Sequence, residues 1–424
     1  MYAAQRCAPS LAREFLRFGG DAVEKNKNGM WTQMVHAGEG RNAPLGRPVA
    51  TPIYATAAFT YDTMEDVDKV FSGEGGDYVY TRHGNPTVAA FEDAISTLEA
   101  GEGACAYASG MAALHAALFA CDLTPGSTVL ASQDLYGATL GLLNHVFAPA
   151  GVKTVTADFN DLDEVRERTL ATKPKALVAE TISNPLLKVC DLHGCAVIAK
   201  QAGARLVVDN TFASPFLCQP LTLGADFVVH SATKYLSGHG DSMGGVVVAR
   251  REQDLKALVK VMKLVGGVLS VWEAHHLLRG IKTLGLRLER QCDNARQLAA
   301  LLMTDARLAH VYYPGRSEAA ASGLLDRVLR SPHAGALVSI ELKNNTREAA
   351  FRFMNALRLC VRLTSLGDVA TGVSHSASSS HREVPAETRA RLGITEGLVR
   401  ISVGIEDVAD LHADISQALA KSAP

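Results

Sequence analysis

A chain of 424 residues, 47% hydrophobic and 20% charged, has the composition of an ordinary soluble protein and the length for two or three globular units with cores of their own. Its formal net charge of -2 sets up no long-range field that would draw nucleic acid or an anionic membrane, which leaves small molecules and further copies of the chain as partners. The 8 cysteines are scattered through apolar segments, a pattern of reduced cytosolic thiols and not of a disulfide framework.

In chain order, Arg6, Arg13 and Arg17 with the single acid Glu14 give the first residues a faint likeness to an organelle transit peptide. They read better as an exposed N-terminal extension, and no apolar core of a secretion signal is present. From Trp31 to about Gly76 the segment carries Pro44, Pro48 and Pro52 and little helical period, which predicts an arm with little core of its own. YTRHGNPT, residues 80 to 87, is polar and turn-forming. In an extended backbone Tyr80 and Arg82 point the same way and could clamp a phosphate; a plain surface loop is the alternative.

ACAYASGMAALHAAL predicts a short strand, a Ser-Gly turn and a helix. Gly110 lets backbone approach a ligand closely, and the amides of Gly110, Met111 and Ala112 open a helix whose N-terminus favours an anion. Although Ala104 to Cys121 lacks charged residues, Ser109, Gly110 and His115 interrupt it, so a packed strand-turn-helix is expected there and not a membrane span. Tyr136 follows the strand-like STVLAS, and Asn184, held extended by Pro185, follows KALVA. Cys190 and Cys195 flank Asp191 and His193 at a spacing that matches no zinc pattern, and no metal site is predicted.

Strands near 104–108, 127–131, 152–156, 175–179, 205–208, 226–229 and 245–249 alternate with helical segments, the rhythm of a mainly parallel sheet covered on both faces. Two of these runs, Leu206 to Val208 and Phe227 to Val229, end in polar residues. Asp209 follows the first; Ser231, Thr233 and Lys234 follow the second. All four therefore belong at the carboxyl edge of the sheet, where α/β proteins bind ligands. A lysine and an acid so placed suit pyridoxal phosphate, which attaches to a lysine as a Schiff base while a carboxylate keeps its ring nitrogen protonated. The hydroxyls of Ser231 and Thr233 could bind its phosphate.

Beyond residue 250 the chain turns helical, and the stretch Trp272 to Leu302 is expected to form one long connecting helix with His275 and His276 as packing residues. A smaller α/β unit follows, from ALVSIEL, a helix over Thr346 to Leu357, and LVRISVG. In the last of these Val399, Ile401 and Val403 share one face, so Arg400 points away from its own core and can hold a carboxylate in a two-pronged contact. The Ser-, Gly- and His-rich residues 364 to 384 read as a loop that could serve as a substrate lid.

Five segments, in order, resemble one known family: YTRHGNPT, ASGMAAL, VVDNTFASP, HSATKYLSGHGD and LVRISVGIED are similar to motifs of the Cys/Met-metabolism PLP-dependent enzymes, over roughly residues 31 to 410. These are the cystathionine γ-synthases, the cystathionine γ- and β-lyases, the methionine γ-lyases and the homoserine-ester sulfhydrylases. The resemblance implies the aminotransferase-like fold type I, with an N-terminal extension and intersubunit arm over 1–76, a large cofactor-binding domain over 77–275 and a C-terminal domain over 276–424. It implies a cytoplasmic homo-oligomer, a tetramer built from dimers with shared active sites. Lys234 and Tyr136 take the catalytic positions. Tyr80 and Arg82, reaching in from the neighbouring subunit, join Gly110, Met111, Tyr136, Asn184, Asp209, Ser231, Thr233 and Lys234 around the cofactor. Ser365 and Arg400 take the substrate positions.

The expected reaction is γ-elimination or γ-replacement on sulfur-containing or O-acylated homoserine-type amino acids. Some positions depart from the family's pattern. Ala138 stands where methionine γ-lyases usually carry a reactive cysteine, and Thr364 where the cystathionine enzymes tend to have a glutamate for the distal ammonium. The His-Pro-Ala segment becomes His375-Ser376-Ala377. With that glutamate absent, a lyase or sulfhydrylase is favoured over a cystathionine specialist.

Overall fold

Short runs of β-branched residues build the centre of the molecule. The computed structural model describes residues 29–38, 48–72 and 78–422. Seven strands, β1 (Gly103–Tyr107), β2 (Thr128–Ser132), β3 (Lys153–Ala157), β4 (Ala176–Glu180), β5 (Arg205–Asp209), β6 (Phe227–Ser231) and β7 (Gly245–Ala249), form one sheet in the order β1-β7-β6-β5-β4-β2-β3. The pairs from β6 through β5, β4 and β2 to β3 are parallel, and β7 runs antiparallel to both of its neighbours. Alternation along each strand divides the apolar side chains between two cores. Leu206, Val208 and Val228 face one layer of helices, and Val207, Phe227 and Val229 face the other.

A second sheet, ordered β10-β11-β12-β9-β8, is built from β8 (Leu308–Tyr312), β9 (Leu337–Leu342), β10 (Val361–Arg362), β11 (Gly372–His375) and β12 (Leu398–Ser402). Val399, Ile401 and Val403 lie in its core, as their alternation predicts. Arg400 stands on an interior strand, paired with Ser374 on one side and Ser339 on the other.

The expected strands all form, each within a residue or two of its expected bounds. Three other expectations are corrected. The connecting helix is two helices, Val271–Ile281 and Leu284–Leu302. At the break, Lys282 and Thr283 donate to the carbonyls of Arg279 and Gly280, which tightens the last turn. Gly280 lies so close to Leu236 and Ser237 that a Cβ there would come within 2.4 Å of their carbonyl oxygens. His275 is half-buried but its neighbour His276 is exposed and packs in no core. Residues 364–384 are not a single loop: they contribute β11 and a buried turn, in which His375 bonds Ser378 Oγ at 2.8 Å and the Glu396 carbonyl at 2.9 Å.

The arm likewise contains two short helices, Met30–His36 and Met64–Ser72. Trp31 meets Phe216 edge to face with ring centroids 5.6 Å apart, and the Gly285 amide donates to Met34 Sδ at 3.2 Å. Residues 1 to 28, the bulk of the expected extension, lie outside the described residues.

Candidate active site

After β6 the chain turns tightly. Thr233 Oγ1 donates to the Gly244 carbonyl at 3.2 Å and accepts the Gly244 amide at 3.0 Å, which ties the Ser231–Lys234 turn to the glycine-rich loop ahead of β7. Lys234, half-buried, donates from Nζ to Ser365 Oγ at 2.8 Å. Burial, seconded by the Arg400 charge, lowers the Lys234 ammonium to about 8, so the nucleophilic neutral amine is within reach near neutral pH.

Asp209 ends β5. Its Oδ1 accepts the Thr211 amide at 2.9 Å, and Thr211 Oγ1 in turn accepts the Ser231 amide at 2.9 Å, so one threonine joins the acid's strand to the strand that leads to the lysine. Burial pushes the Asp209 carboxyl up, against the Thr211 hydrogen bonds and the nearby His230, which hold it down. Behind it, His230 Nε2 and Glu99 Oε1 are 2.6 Å apart, and Asn210 Nδ2 donates to the same Glu99 oxygen at 2.9 Å, all fully buried.

Arg400 reaches this edge from β12 and is 3% exposed. It donates from Nη1 to Asn184 Oδ1 at 2.8 Å and from Nη2 to the Ser365 carbonyl at 3.3 Å, and Nε has no partner. Its guanidinium carbon sits 5.7 Å from the Phe212 ring centroid. Among the described residues no carboxylate lies within ion-pair distance of it. Burial lowers this guanidinium to about 10, still charged at neutral pH. A buried, charged fork with an unpaired N–H is poised to receive an anion.

Tyr136 is partly exposed at the head of the helix Gly137–Leu142, and its amide donates to Glu180 Oε1 at 2.5 Å. Gly137 lies against the Ser380 carbonyl, 2.3 Å from where a Cβ would be, so the buried 376–381 turn abuts the tyrosine. Within that turn His381 Nδ1 pairs with Ser380 Oγ at 2.9 Å, and burial beside Arg400 lowers the imidazole to about 4, leaving it neutral.

The sheet edge also holds the helix Gly110–Phe119. A Cβ on Gly110 would come 2.8 Å from Ser231 Cβ, so glycine is what allows the helix N-terminus to sit on the serine. Ser109 caps that helix by accepting the Ala112 amide at 3.2 Å, which leaves the amides of Gly110 and Met111, and not that of Ala112, facing outward from the first turn.

Direct hydrogen bonds thus unite Lys234, Ser365, Arg400 and Asn184, and strand pairing and packing bring Asp209, Ser231, Thr233 and Gly110 to the same edge. Tyr80 and Arg82 are not in that set. Arg82 lies 5.6 Å from the Tyr80 ring centroid and donates to the Lys263 carbonyl. Sequence reasoning missed Glu180, the acid directly opposite Asp209 in the β4–β5 register. Its only local signal is its place as the last residue of a strand, ahead of Asn184.

A mainly parallel sheet with a lysine, an acid and an anion-ready helix terminus on its carboxyl edge, closed by an arginine from a second sheet, is the architecture of a PLP-dependent enzyme of fold type I. Residues 31–420 match the Cys/Met metabolism PLP-dependent enzyme family, and the chain belongs to it. Over 401 residues it is 40% identical to an L-methionine gamma-lyase of Fusobacterium nucleatum, covering 94% of this chain and 100% of that one. It is 40% identical over 388 residues to a cystathionine gamma-lyase of Bacillus subtilis, covering 92% and 98% of the two chains. The crystal structure of a cystathionine gamma synthase from Xanthomonas oryzae, in complex with aminoacrylate and cysteine, superposes with a TM-score of 0.86 at 37% identity, over 93% of this chain and 98% of that one.

The protein is therefore an enzyme whose cofactor is pyridoxal phosphate. The site fits that group: an amine of lowered pKa for its aldehyde, a carboxylate at the strand edge for its ring nitrogen, and two outward amides with the Ser231 hydroxyl for its phosphate; the Thr233 hydroxyl, expected to join them, is instead committed to Gly244. Among the described residues no helix is long and apolar enough to cross a membrane, and no group of three or more His, Cys, Asp or Glu could hold a metal ion.

Proposed function

We propose that this protein catalyses γ-elimination or γ-replacement on γ-substituted α-amino acids, with elimination from methionine or a related thioether as the principal reaction. The carrying observation is the bridge Lys234–Ser365–Arg400, in which one serine contacts both the amine and the buried guanidinium. An α-amino acid carries its reacting carbon and its carboxylate one bond apart, and this pair of groups suits it. Thr364, exposed beside Ser365, offers no carboxylate for a distal ammonium, which favours an uncharged γ-substituent. The relatives named as methionine gamma-lyases agree. The second reading, cystathionine synthesis or cleavage, is favoured by other relatives and by the structural neighbour with bound cysteine.

Pyridoxal phosphate, when bound, supplies an electron sink for the substrate's α-carbon. Arg400 grips the α-carboxylate in a fork, and Phe212 beneath it excludes water. Asp209 holds a proton on the ring nitrogen. Lys234 Nζ removes the α-proton and returns a proton later, with Ser365 steering it. The Tyr136 phenol gives a proton to the departing γ-substituent. Asn184 holds Arg400 in place through its Oδ1, and its side-chain amide N–H would be left to bond the cofactor's phenolic oxygen.

The pure enzyme, incubated with methionine, cystathionine, cysteine and homoserine esters, with and without sulfide, is expected to release α-keto acid fastest from methionine. Turnover confined to cystathionine would install the second reading, and no consumption of any of them would overturn both. The pH dependence of loading follows from Lys234. Only the neutral amine condenses with an aldehyde, and the lowered pKa makes that form grow in as pH rises through about 8. The rate at which apoprotein takes up pyridoxal phosphate should climb with a midpoint near that value; a rise centred above pH 10 would show an ordinary lysine.

We further propose a cytoplasmic homotetramer built from two dimers, each site completed by Tyr80 and Arg82 of the neighbouring subunit. Supporting this, Tyr80, Leu264 and Val265 expose apolar surface on the elements that carry Arg82 and its contact Lys263, with exposed Phe71 against His83 beside them, and the described cysteines are all free thiols. Mixing Arg82→Ala with Lys234→Ala chains tests the sharing. Random reassortment puts one intact site in half of the dimers, so activity should recover to about a quarter of wild type. No recovery after exchange, verified by mass spectrometry, would show each site to be made by one chain.

A further inference from the structure

A single buried side chain ties the lysine turn to the helices behind it. Arg287, in the first turn of the helix Leu284–Leu302, donates from Nη1 to the Tyr235 carbonyl at 2.9 Å, from Nη2 to the Gly280 carbonyl at 2.8 Å and from Nε to Thr283 Oγ1 at 3.2 Å. One bond thus ends on the residue that follows Lys234, and the other two end at the break between the two connecting helices. The three acceptors are two carbonyls and a hydroxyl, so none of these bonds neutralises the guanidinium. Burial lowers it to about 10, against the Asp368 charge in its field, and at neutral pH it remains a cation.

The turn is packed tightly around this group. Gly238, at a φ of +74°, approaches so closely that a Cβ on it would come 2.0 Å from Arg287 Nη1, and its amide closes the turn by donating to the Lys234 carbonyl at 2.8 Å. Gly367 bears on the same turn: a Cβ there would come 2.7 Å from the Tyr235 amide nitrogen and 3.1 Å from the Lys234 carbonyl carbon. It lies two residues beyond Ser365, whose hydroxyl receives Lys234 Nζ at 2.8 Å and whose carbonyl accepts from Arg400.

We propose that Arg287 is a positioning residue whose guanidinium fork fixes the Tyr235 carbonyl to the helix break and thereby holds Lys234 Nζ against Ser365, beside the Arg400 clamp. The inference rests on the role given above to Lys234.

The chemistry asks for an arginine and not merely for a cation. A guanidinium presents its N–H groups in a rigid plane, so two carbonyls on separate segments are kept at one separation. A lysine keeps the charge but reaches one acceptor from a rotating stem, and a methionine gives neither charge nor donor. Without the fork the Tyr235 carbonyl loses its donor, and the turn gains the freedom to draw Nζ away from Ser365 into water. There the amine regains the acidity of an ordinary lysine.

The test compares Arg287→Met and Arg287→Lys with the wild type, and two of its three readings need no substrate. Uptake of pyridoxal phosphate by the apoprotein requires the neutral amine, so a released lysine needs a higher pH. Its midpoint should move up from near 8 by about one unit or more in both variants. Amide hydrogen exchange on the apoprotein should show protection lost over residues 232–240 and kept over 205–209. In the loaded enzyme kcat should fall about tenfold or more with KM changed less than about twofold, because Arg400 still binds the substrate carboxylate. An unmoved midpoint or unaltered exchange in Arg287→Met, whatever its thermal stability, overturns the proposal. Full wild-type behaviour of Arg287→Lys would show that charge alone is required and would overturn the fork. If Arg287→Met does not fold, Arg287→Gln, which keeps a donor without the charge, takes its place under the same criteria. A wild-type enzyme that turned over none of the amino acids would sink the functional reading instead, and the uptake midpoint and the exchange would still decide the role of Arg287.

Discussion

Lys234→Ala is expected to leave a folded protein that no longer fixes its cofactor. Borohydride should fail to attach pyridoxal phosphate to the chain, the yellow colour should wash out on dialysis, and turnover should fall by roughly 10⁴-fold or more, since one side chain both binds the cofactor and moves the substrate's protons. Two features put the weight on this residue. The amine is held by Ser365 at 2.8 Å at the mouth of a strand, and burial together with Arg400 lowers it to about 8. Folding should be spared, because the side chain is half-buried at a sheet edge and forms no part of either core. Lys234→Arg is the control: it keeps a cation near Ser365 but has no amine that can condense, and it should be as inactive as the alanine variant. Covalent labelling of Lys234→Ala by borohydride with retained turnover would place the chemistry on another lysine.

Arg400→Met should produce the second largest effect, and on a different parameter. The wild-type guanidinium is buried, charged and carries an unpartnered Nε, so a substrate carboxylate meets a desolvated fork. Truncating one partner of such a pair costs about 2–5 kcal/mol, roughly 30-fold to several-thousand-fold in kcat/KM. Because the contact is made to substrate before chemistry, the loss should appear mainly in KM. Methionine fills the volume, and without the guanidinium Asn184 Oδ1 and the Ser365 carbonyl lose their donor. A discriminating readout is the substrate lacking its carboxylate. Wild type should prefer the amino acid to the corresponding amine strongly, and Arg400→Met should show little preference. An unchanged preference would mean that the carboxylate is bound elsewhere.

The residues that carry the chemistry were recognisable in the chain because they sit at the ends of short, strongly patterned segments. Leu206 to Val208 and Phe227 to Val229 read as strands from their length and β-branching, and strand ends in α/β sheets are where ligands bind, so Asp209, Ser231, Thr233 and Lys234 were placed by position as well as by type. Arg400 was placed on the right face by the alternation of Val399, Ile401 and Val403. The close approach at Gly110 follows from residue type in the same way, whereas the cap by Ser109, which takes the Ala112 amide, was not read from the chain.

Other features were out of reach of such reading. The 376–381 turn looks like solvent-loving loop, yet His375, Ser376 and His381 are buried: only the Glu396 carbonyl on His375 Nε2 comes from outside the turn, His381 Nδ1 pairs with its neighbour Ser380, and Ser376 Oγ has no partner. The helix from residue 271 to 302 breaks after Ile281 because the chain packs Gly280 onto the lysine loop, a reason found 40-odd residues upstream, in the Leu236 and Ser237 carbonyls. Arg400 and Asn184 are 216 residues apart. Glu180 is invisible as a partner of the site until the Tyr136 loop is folded onto it.

By itself the chain's pattern determined the strands and the identity of the amine, the acid and the guanidinium, because hydrophobic periodicity and backbone chemistry act over a few neighbouring residues. Which of those groups touch, which polar atoms lose their water and how far a lysine is pushed from its ordinary acidity were decided only when two sheets closed on one another. Contact and desolvation are properties of groups brought together from remote parts of the chain, and no local pattern encodes them.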